Sequence, residues 1–465
     1  MVPSQVRLGP RGLCLADSRL VISVSGIRGV AYDPLSPEVC CRFAAALGTI
    51  LGRGTYVVGR DPRLSGETLE RAVVSGLAAT GSRVIGLGIA ATPTIQLAVE
   101  HHRAQGGIAV TASHNPAQWN ALKLISSAGT FLEKPDVDRV TGVFQSGAIS
   151  YGAFDQAGAL EEDSGAGRRH VDEVLRLGCV DVPKLRKRHL TVAVDCVNGA
   201  AGVVIPGLLE GLGCRVLGLG CEPTGSFARN PEPLPENLKG LCDLVREKGA
   251  DIGLAFDPDG DRLAIVNERG EAVGEDFTLA ISADVVLKQK RGPVVTNLST
   301  SMVVEEVAKR HGVPFYRTPI GEINVVSKMK QVGSAIGGEG NGGVILPDLH
   351  YGRDALVGTA LVLQALAESG GSLSHMMDKY PKYVILKQKV SFETAPDLAE
   401  LADRVKRLFP GAQFNVDDGL RVDLGGSWLH VRRSGTEPVI RLIAEAGDSL
   451  QALALIDRAR NLMIS

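Results

Sequence analysis

Asp257, Asp259 and Asp261 alternate in the run Asp-Pro-Asp-Gly-Asp-Arg. Three carboxylates this close repel one another unless a cation neutralises them. Oxygen ligands on a short loop suit Mg²⁺, which takes few carboxylates and completes its shell with phosphate oxygens or water. The spacing imitates the start of an EF-hand loop, with Glu268 at its last position, but Arg262 stands where that loop needs glycine and the flanks read as strands. A second reactive stretch is Val-Thr-Ala-Ser-His-Asn-Pro, residues 110–116. It follows a short apolar run and stops on Asn115-Pro116, so Ser113 and His114 lie on a loop at the carboxyl end of a strand. Open α/β sheets place their ligands there.

Two further loops carry ligand chemistry. Gly338-Glu339-Gly340-Asn341-Gly342-Gly343 fits a dinucleotide fingerprint only formally, because Val344-Ile345-Leu346-Pro347 cannot open a helix. Its glycines would instead let Glu339 and Asn341 approach the hydroxyls of a polyol. Arg432-Arg433-Ser434-Gly435-Thr436-Glu437-Pro438 gathers guanidinium, hydroxyl and backbone N–H donors, a kit for a phosphate dianion. Arg28, between Gly26 and Gly29, reads as the tip of a tight loop that could meet phosphate, and Lys123, soon after the serine loop, could serve proton transfer. No Gly-x-Ser-x-Gly elbow and no Walker loop is present.

The elements that must hold these loops repeat. Strand–helix–strand–helix–strand patterns run from Tyr56 to the serine loop, from Thr191 to the aspartate loop and from Val294 to the Gly-Glu loop. Residues 213–220 match residues 81–88 almost one for one. This alternation predicts three similar α/β domains with mixed, largely parallel sheets, their terminal loops facing one cleft. From about Lys387 the rhythm changes to hairpin-spaced strands between two helices, predicting a smaller α+β domain with an antiparallel sheet. The expected boundaries are 1–160, 165–269, 270–378 and 385–465.

Composition narrows the class. A chain of 465 residues with 44% hydrophobic and 22% charged residues has the profile of a multidomain globular protein. A net charge of -2, 4% aromatics and only a short basic cluster at residues 184–188 argue against nucleic acid. The eight cysteines form no Cys-x-x-Cys pair, which fits free thiols in a reducing cytoplasm. The most apolar long stretch, residues 84–99, is broken by Gly86, Gly88 and Pro93, so neither a membrane span nor a membrane partner is expected.

Together the four loops resemble those of the α-D-phosphohexomutase family over essentially the whole chain. The resemblance implies four domains around a central cleft and an enzyme that interconverts hexose 1- and 6-phosphates through a phosphoserine and a bisphosphorylated sugar. It implies a phosphoserine at Ser113, and one Mg²⁺ held by Asp257, Asp259, Asp261 and the Ser113 phosphate. Arg28 and Lys123 match assisting basic residues. Substrate contacts fall on His114, Arg262, Gly321, Glu322, Glu339 and Asn341, and phosphate contacts on Arg432, Ser434, Gly435 and Thr436. The ending Asn341-Gly342-Gly343, where bacterial members usually have Ser-Gly-His, and Pro319-Ile320-Gly321-Glu322 resemble the archaeal-type phosphoglucosamine mutase branch. Glucosamine phosphate is therefore the first-choice substrate, with mannose or glucose phosphates next and a metal-dependent sugar phosphatase more remote. His350 is a candidate replacement for the missing loop histidine. A homodimer is compatible with the sequence, which does not specify oligomeric state.

Overall fold

The computed structural model describes residues 20–391, 398–433 and 439–464, and four β-sheets organise them. The first sheet contains β1 (Val21–Ser23), β2 (Gly26–Val30), β3 (Thr55–Arg60), β4 (Arg83–Ile89), β5 (Gly106–Val110), β6 (Trp119–Ser126) and β7 (Leu160–Glu162), in the order β1-β2-β6-β5-β3-β4-β7. The second contains β8 (Thr191–Asp195), β9 (Arg215–Leu219), β10 (Ile252–Phe256) and β11 (Leu263–Val266), in the order β11-β10-β8-β9. The third contains β12 (Val294–Asn297), β13 (Phe315–Thr318), β14 (Ile336–Glu339) and β15 (Gly343–Ile345), in the order β13-β12-β14-β15.

One core recurs in all three. Each has three parallel strands with the first in the middle, and the third strand also pairs with an antiparallel fourth. The turn from third to fourth strand is the serine loop in the first sheet, the aspartate loop in the second and the Gly-Glu loop in the third. Each of these three loops thus leaves the carboxyl end of a parallel strand, where such sheets leave room for ligands. The matched segments 81–88 and 213–220 carry equivalent strands, β4 and β9. The third strands of the first two sheets, β5 and β10, are short apolar runs buried along their whole length, as strands covered on both faces must be.

The second and third domains share one apolar core. Helix Ala355–Ser369 is buried along most of its length, and its residues join a cluster with Leu263 of β11 and Val344 of β15. This common packing fixes the aspartate loop relative to the Gly-Glu loop. The fourth sheet contains β16 (Val384–Ser391), β17 (Gln413–Asn415), β18 (Leu420–Asp423), β19 (Trp428–Arg433) and β20 (Val439–Ala446), in the order β16-β20-β19-β18-β17. It is antiparallel throughout and packs on helices Leu398–Leu408 and Ser449–Ile464. Buried polar contacts dock it on the third domain. Glu445 accepts from Ser301 Oγ and, at 2.8 Å, from Met302 N; His430 Nδ1 lies 2.8 Å from Ser299 Oγ.

Three local readings change. Arg28 is on strand β2 rather than at a loop tip, because the reversal falls one step earlier, at Ser23–Gly26, and β2 then pairs with β6. The second helix of the pattern between Thr191 and the aspartate loop divides into a short 3₁₀ turn, Pro235–Asn237, and an α-helix, Lys239–Lys248. The antiparallel fourth strands extend each sheet beyond the repeated strand–helix pattern; Leu263–Val266, the strand read after the aspartate loop, is one of them and is buried at every residue. Among the described residues, seven cysteines are free thiols, and no helix is long and apolar enough to cross a membrane.

Candidate active site

The three loops and β19 converge on one cleft of about 430 Å³, lined among others by Arg28, Ser113, His114, Lys123, Arg262, Gly321, Glu322, Glu339, Asn341 and Arg432. A larger concavity, about 830 Å³, opens between the third and fourth domains but contains neither the serine nor the aspartates. Ser434, Gly435 and Thr436 lie outside the described residues.

Ser113 adopts φ +49°, uncommon for a residue with a Cβ, and its Oγ donates to Asp257 Oδ2 at 2.7 Å across the domain boundary. A buried arginine forces this turn. Arg63, 1% exposed, donates to the carbonyls of Ser113, Asn115, Pro116 and Trp119 and pairs through Nε with Asp61 Oδ2 at 2.9 Å. Asp61 also accepts from Thr111 Oγ1 at 2.6 Å. The local sequence gives no sign of this role, since Thr111 and the carbonyls that Arg63 holds lie fifty residues or more further on. Replacing Arg63 with methionine strands Asp61 as an unpaired buried carboxylate. We expect a loss of about 3–5 kcal/mol, read as a lower urea midpoint, with part recovered in the Asp61→Asn/Arg63→Met double variant.

The aspartate loop turns at Gly260, whose φ of +69° suits glycine. Its three carboxylates are buried, with ligand oxygens all within 4.8 Å of one another, and they form the one such acidic group among the described residues. Lys123 Nζ reaches Asp259 Oδ2 at 2.6 Å, and Thr92 Oγ1 donates to the same oxygen at 2.7 Å. Asp259 Oδ1 and Asp261 Oδ1 are buried without any donor. Two orphaned carboxylate oxygens beside a third carboxylate fit a divalent cation, which would satisfy both.

Electrostatics follow this geometry. Burial, reinforced by Asp261 and Asp259, pushes the Asp257 carboxyl well above the usual carboxylate range. Burial would also raise Asp259, but the charge of Lys123, with the hydrogen bonds from Lys123 and Thr92, brings it below its ordinary value. Burial disfavours the Lys123 ammonium, yet Asp259 and Asp261 outweigh it and hold the proton on. As it stands Lys123 is a proton donor, not an acceptor. It is 4% exposed and lies on β6, so it is not a solvated loop lysine. Burial and the cations Arg262 and Arg28 keep His114 neutral well below its usual range.

The Gly-Glu loop is equally tied down. Glu339 Oε1 accepts from Asn297 Nδ2 at 2.8 Å and from Gly321 N at 3.1 Å, and Asn341 Nδ2 reaches Oε2 at 3.4 Å. Arg28 Nη1 donates to Asn115 Oδ1 at 3.1 Å. On the fourth domain, Arg432 pairs with Asp418 at 3.2 Å, and Asp418 Oδ2 accepts from Ile320 N at 3.0 Å. His350 stands apart from the cleft wall. Its Nε2 lies 3.1 Å from Asp354 Oδ2, which His170 Nε2 also contacts at 2.8 Å, in a buried group that fixes the start of helix Ala355–Ser369. It does not replace a loop histidine. The cation at that corner is Arg353, which sequence reasoning missed.

Four family models match in order: the phosphoglucomutase/phosphomannomutase alpha/beta/alpha domains I, II and III over residues 19–148, 168–270 and 274–383, and the C-terminal domain over residues 387–462. The chain belongs to the phosphoglucomutase/phosphomannomutase family and is a phosphohexomutase, an isomerase of carbohydrate metabolism. It is 39% identical to a phosphoglucomutase/phosphomannomutase of Thermococcus kodakarensis, covering 90% of this chain and 93% of that protein. It is 37% identical to a probable phosphoglucosamine mutase of Methanopyrus kandleri, covering 93% and 95%. The crystal structure of a phosphoglucomutase/phosphomannomutase family protein from Burkholderia thailandensis superposes with a TM-score of 0.82 at 27% identity, covering 95% of this chain and 97% of that one.

Proposed function

We propose that this chain interconverts glucosamine 6-phosphate and glucosamine 1-phosphate through a phosphate carried on Ser113. The carrying observation is the placement of Ser113 Oγ 2.7 Å from Asp257, beside two carboxylate oxygens that have no partner, in the cleft that also holds Glu339 and Arg432. Asp257, Asp259 and Asp261 would hold Mg²⁺. When bound, that ion would neutralise charge on the phosphoryl group in flight, the main demand of phosphoryl transfer.

The chain's own residues do the rest. Arg63 holds the serine loop so that its oxygen faces the aspartates. The Ser–O–P bond breaks as the free sugar oxygen takes the phosphoryl group; the Lys123 ammonium gives its proton to the departing serine oxygen, and the amine so formed takes up the proton that the sugar hydroxyl loses. Arg28, His114 and Arg262 line the path of the moving phosphate, while Gly321, Glu322, Glu339 and Asn341 orient the sugar. Arg432 with Ser434, Gly435 and Thr436 grips the phosphate that does not react. The bisphosphorylated sugar then presents its other phosphate to Ser113. Water must be excluded throughout, or the phosphoserine would hydrolyse. We assign the reaction to the cytoplasm.

Glucosamine phosphate is favoured by the Asn341-Gly342-Gly343 and Pro319-Ile320-Gly321-Glu322 segments and by the Methanopyrus relative. Glucose and mannose phosphates form a second reading, favoured by the Thermococcus relative. A coupled assay with glucosamine, glucose and mannose 1-phosphates separates them. The highest kcat/KM is expected on glucosamine 1-phosphate; a higher value on either neutral sugar selects the second reading.

A further inference from the structure

Arg353 lies just before helix Ala355–Ser369, and neither its burial nor its partners follow from its place in the sequence. Its guanidinium donates through Nη2 to Asp261 Oδ2 at 2.6 Å and through Nη1 to Glu339 Oε2 at 2.6 Å, and its Nε lies 3.0 Å from Glu322 Oε2. One cation therefore meets three carboxylates: one on the aspartate loop, one on the Gly-Glu loop and one at the start of helix Glu322–Val332. Its backbone is anchored next door, where Asp354 caps the following helix through Leu356 N at 2.8 Å and receives His170 at 2.8 Å.

The arm reaches its partners across Gly343. A Cβ on that residue would lie 2.3 Å from Arg353 Cδ, so a side chain at 343 and this path for Arg353 exclude each other. With Oδ2 of Asp261 held by the guanidinium, Oδ1 is the oxygen left without a donor beside Asp257 and Asp259.

We propose that Arg353 is a positioning residue that sets the metal centre and the sugar clamp with one rigid fork. It turns Asp261 so that Oδ1 faces the other two aspartates, and in the same act holds Glu339 and Glu322 in the cleft wall. The inference rests on the reading of the aspartates as a Mg²⁺ site and adds a residue on which that site depends. A lysine cannot take its place, because an ammonium is a point charge and cannot bridge Asp261 and Glu339 in a plane.

The test uses the full-length protein and two variants that leave the net charge of the site unchanged. Mg²⁺ affinity is measured by calorimetry without sugar, and kcat and KM for the hexose phosphate separately. Arg353→Lys is expected to weaken Mg²⁺ binding about 10–100-fold and to raise KM for the sugar. Gly343→Ala displaces the arm without touching its charge, and is expected to weaken Mg²⁺ binding in the same direction. If wild type binds Mg²⁺ and both variants bind it equally well, the positioning role is overturned and the metal site stands. If wild type itself binds no Mg²⁺, the metal reading fails and takes the positioning role with it. A fall in melting temperature with unchanged Mg²⁺ affinity and KM would make Arg353 merely structural and would also overturn the proposal.

Discussion

Ser113→Ala is expected to lose turnover by about 10⁴-fold or more, because the proposed covalent route disappears with the oxygen that would carry the phosphoryl group. Stability should hardly change. The lost hydroxyl contacts only Asp257 and His114, while the carbonyl of residue 113 remains held by Arg63. The variant should therefore melt like wild type, still bind hexose phosphate, and never carry a phosphate in an intact-mass measurement. A variant that turned over near the wild-type rate would remove the serine from the reaction.

Chelation is the second large effect. Removing divalent ions should bring activity to background, with Mg²⁺ restoring it and Ca²⁺ doing so poorly, since Ca²⁺ prefers six to eight oxygens at longer distances. A second readout needs no substrate. An ion that binds only the folded state at a hundred times its dissociation constant stabilises it by about 2.7 kcal/mol, so Mg²⁺ should raise the melting temperature. Asp259→Asn should largely abolish that increase and lower kcat by about 10²–10³-fold. Asparagine keeps an oxygen but removes the charge that the ion, Lys123 and Thr92 all meet. A melting curve indifferent to Mg²⁺ in wild type would contradict the assignment of the triad.

How much was legible follows from where each signal sits along the chain. Asp257, Asp259 and Asp261 crowd into five consecutive residues, so their mutual repulsion can be read without any fold. Ser113 could be found because its loop directly follows an apolar strand. The repeated core was visible through Gly81–Gly88 and Gly213–Gly220, which keep one rhythm of glycines and apolar residues. Arg63 and Arg353 were hidden for the opposite reason. Each acts through partners brought close only by tertiary structure, Trp119 for the first and Asp261 for the second. Lys123 showed its charge but not its burial, because β6 is an inner antiparallel strand whose sequence carries no period of two. Two clues to Arg353 were present: an Asp-led apolar helix at Asp354, and a glycine at 343 that leaves an arm room to pass.

The proposed mutase reaction depends on the phosphoryl group passing between Ser113 and sugar without escaping to water. The direct measurement is to mix enzyme carrying radiolabelled phosphate on Ser113 with unlabelled hexose 6-phosphate in Mg²⁺ and follow the label. It should leave the protein for a bisphosphorylated sugar and then for the hexose phosphate pool, with no matching rise in inorganic phosphate. Label appearing instead as inorganic phosphate, at the rate at which it leaves Ser113, would contradict a mutase and describe a phosphatase.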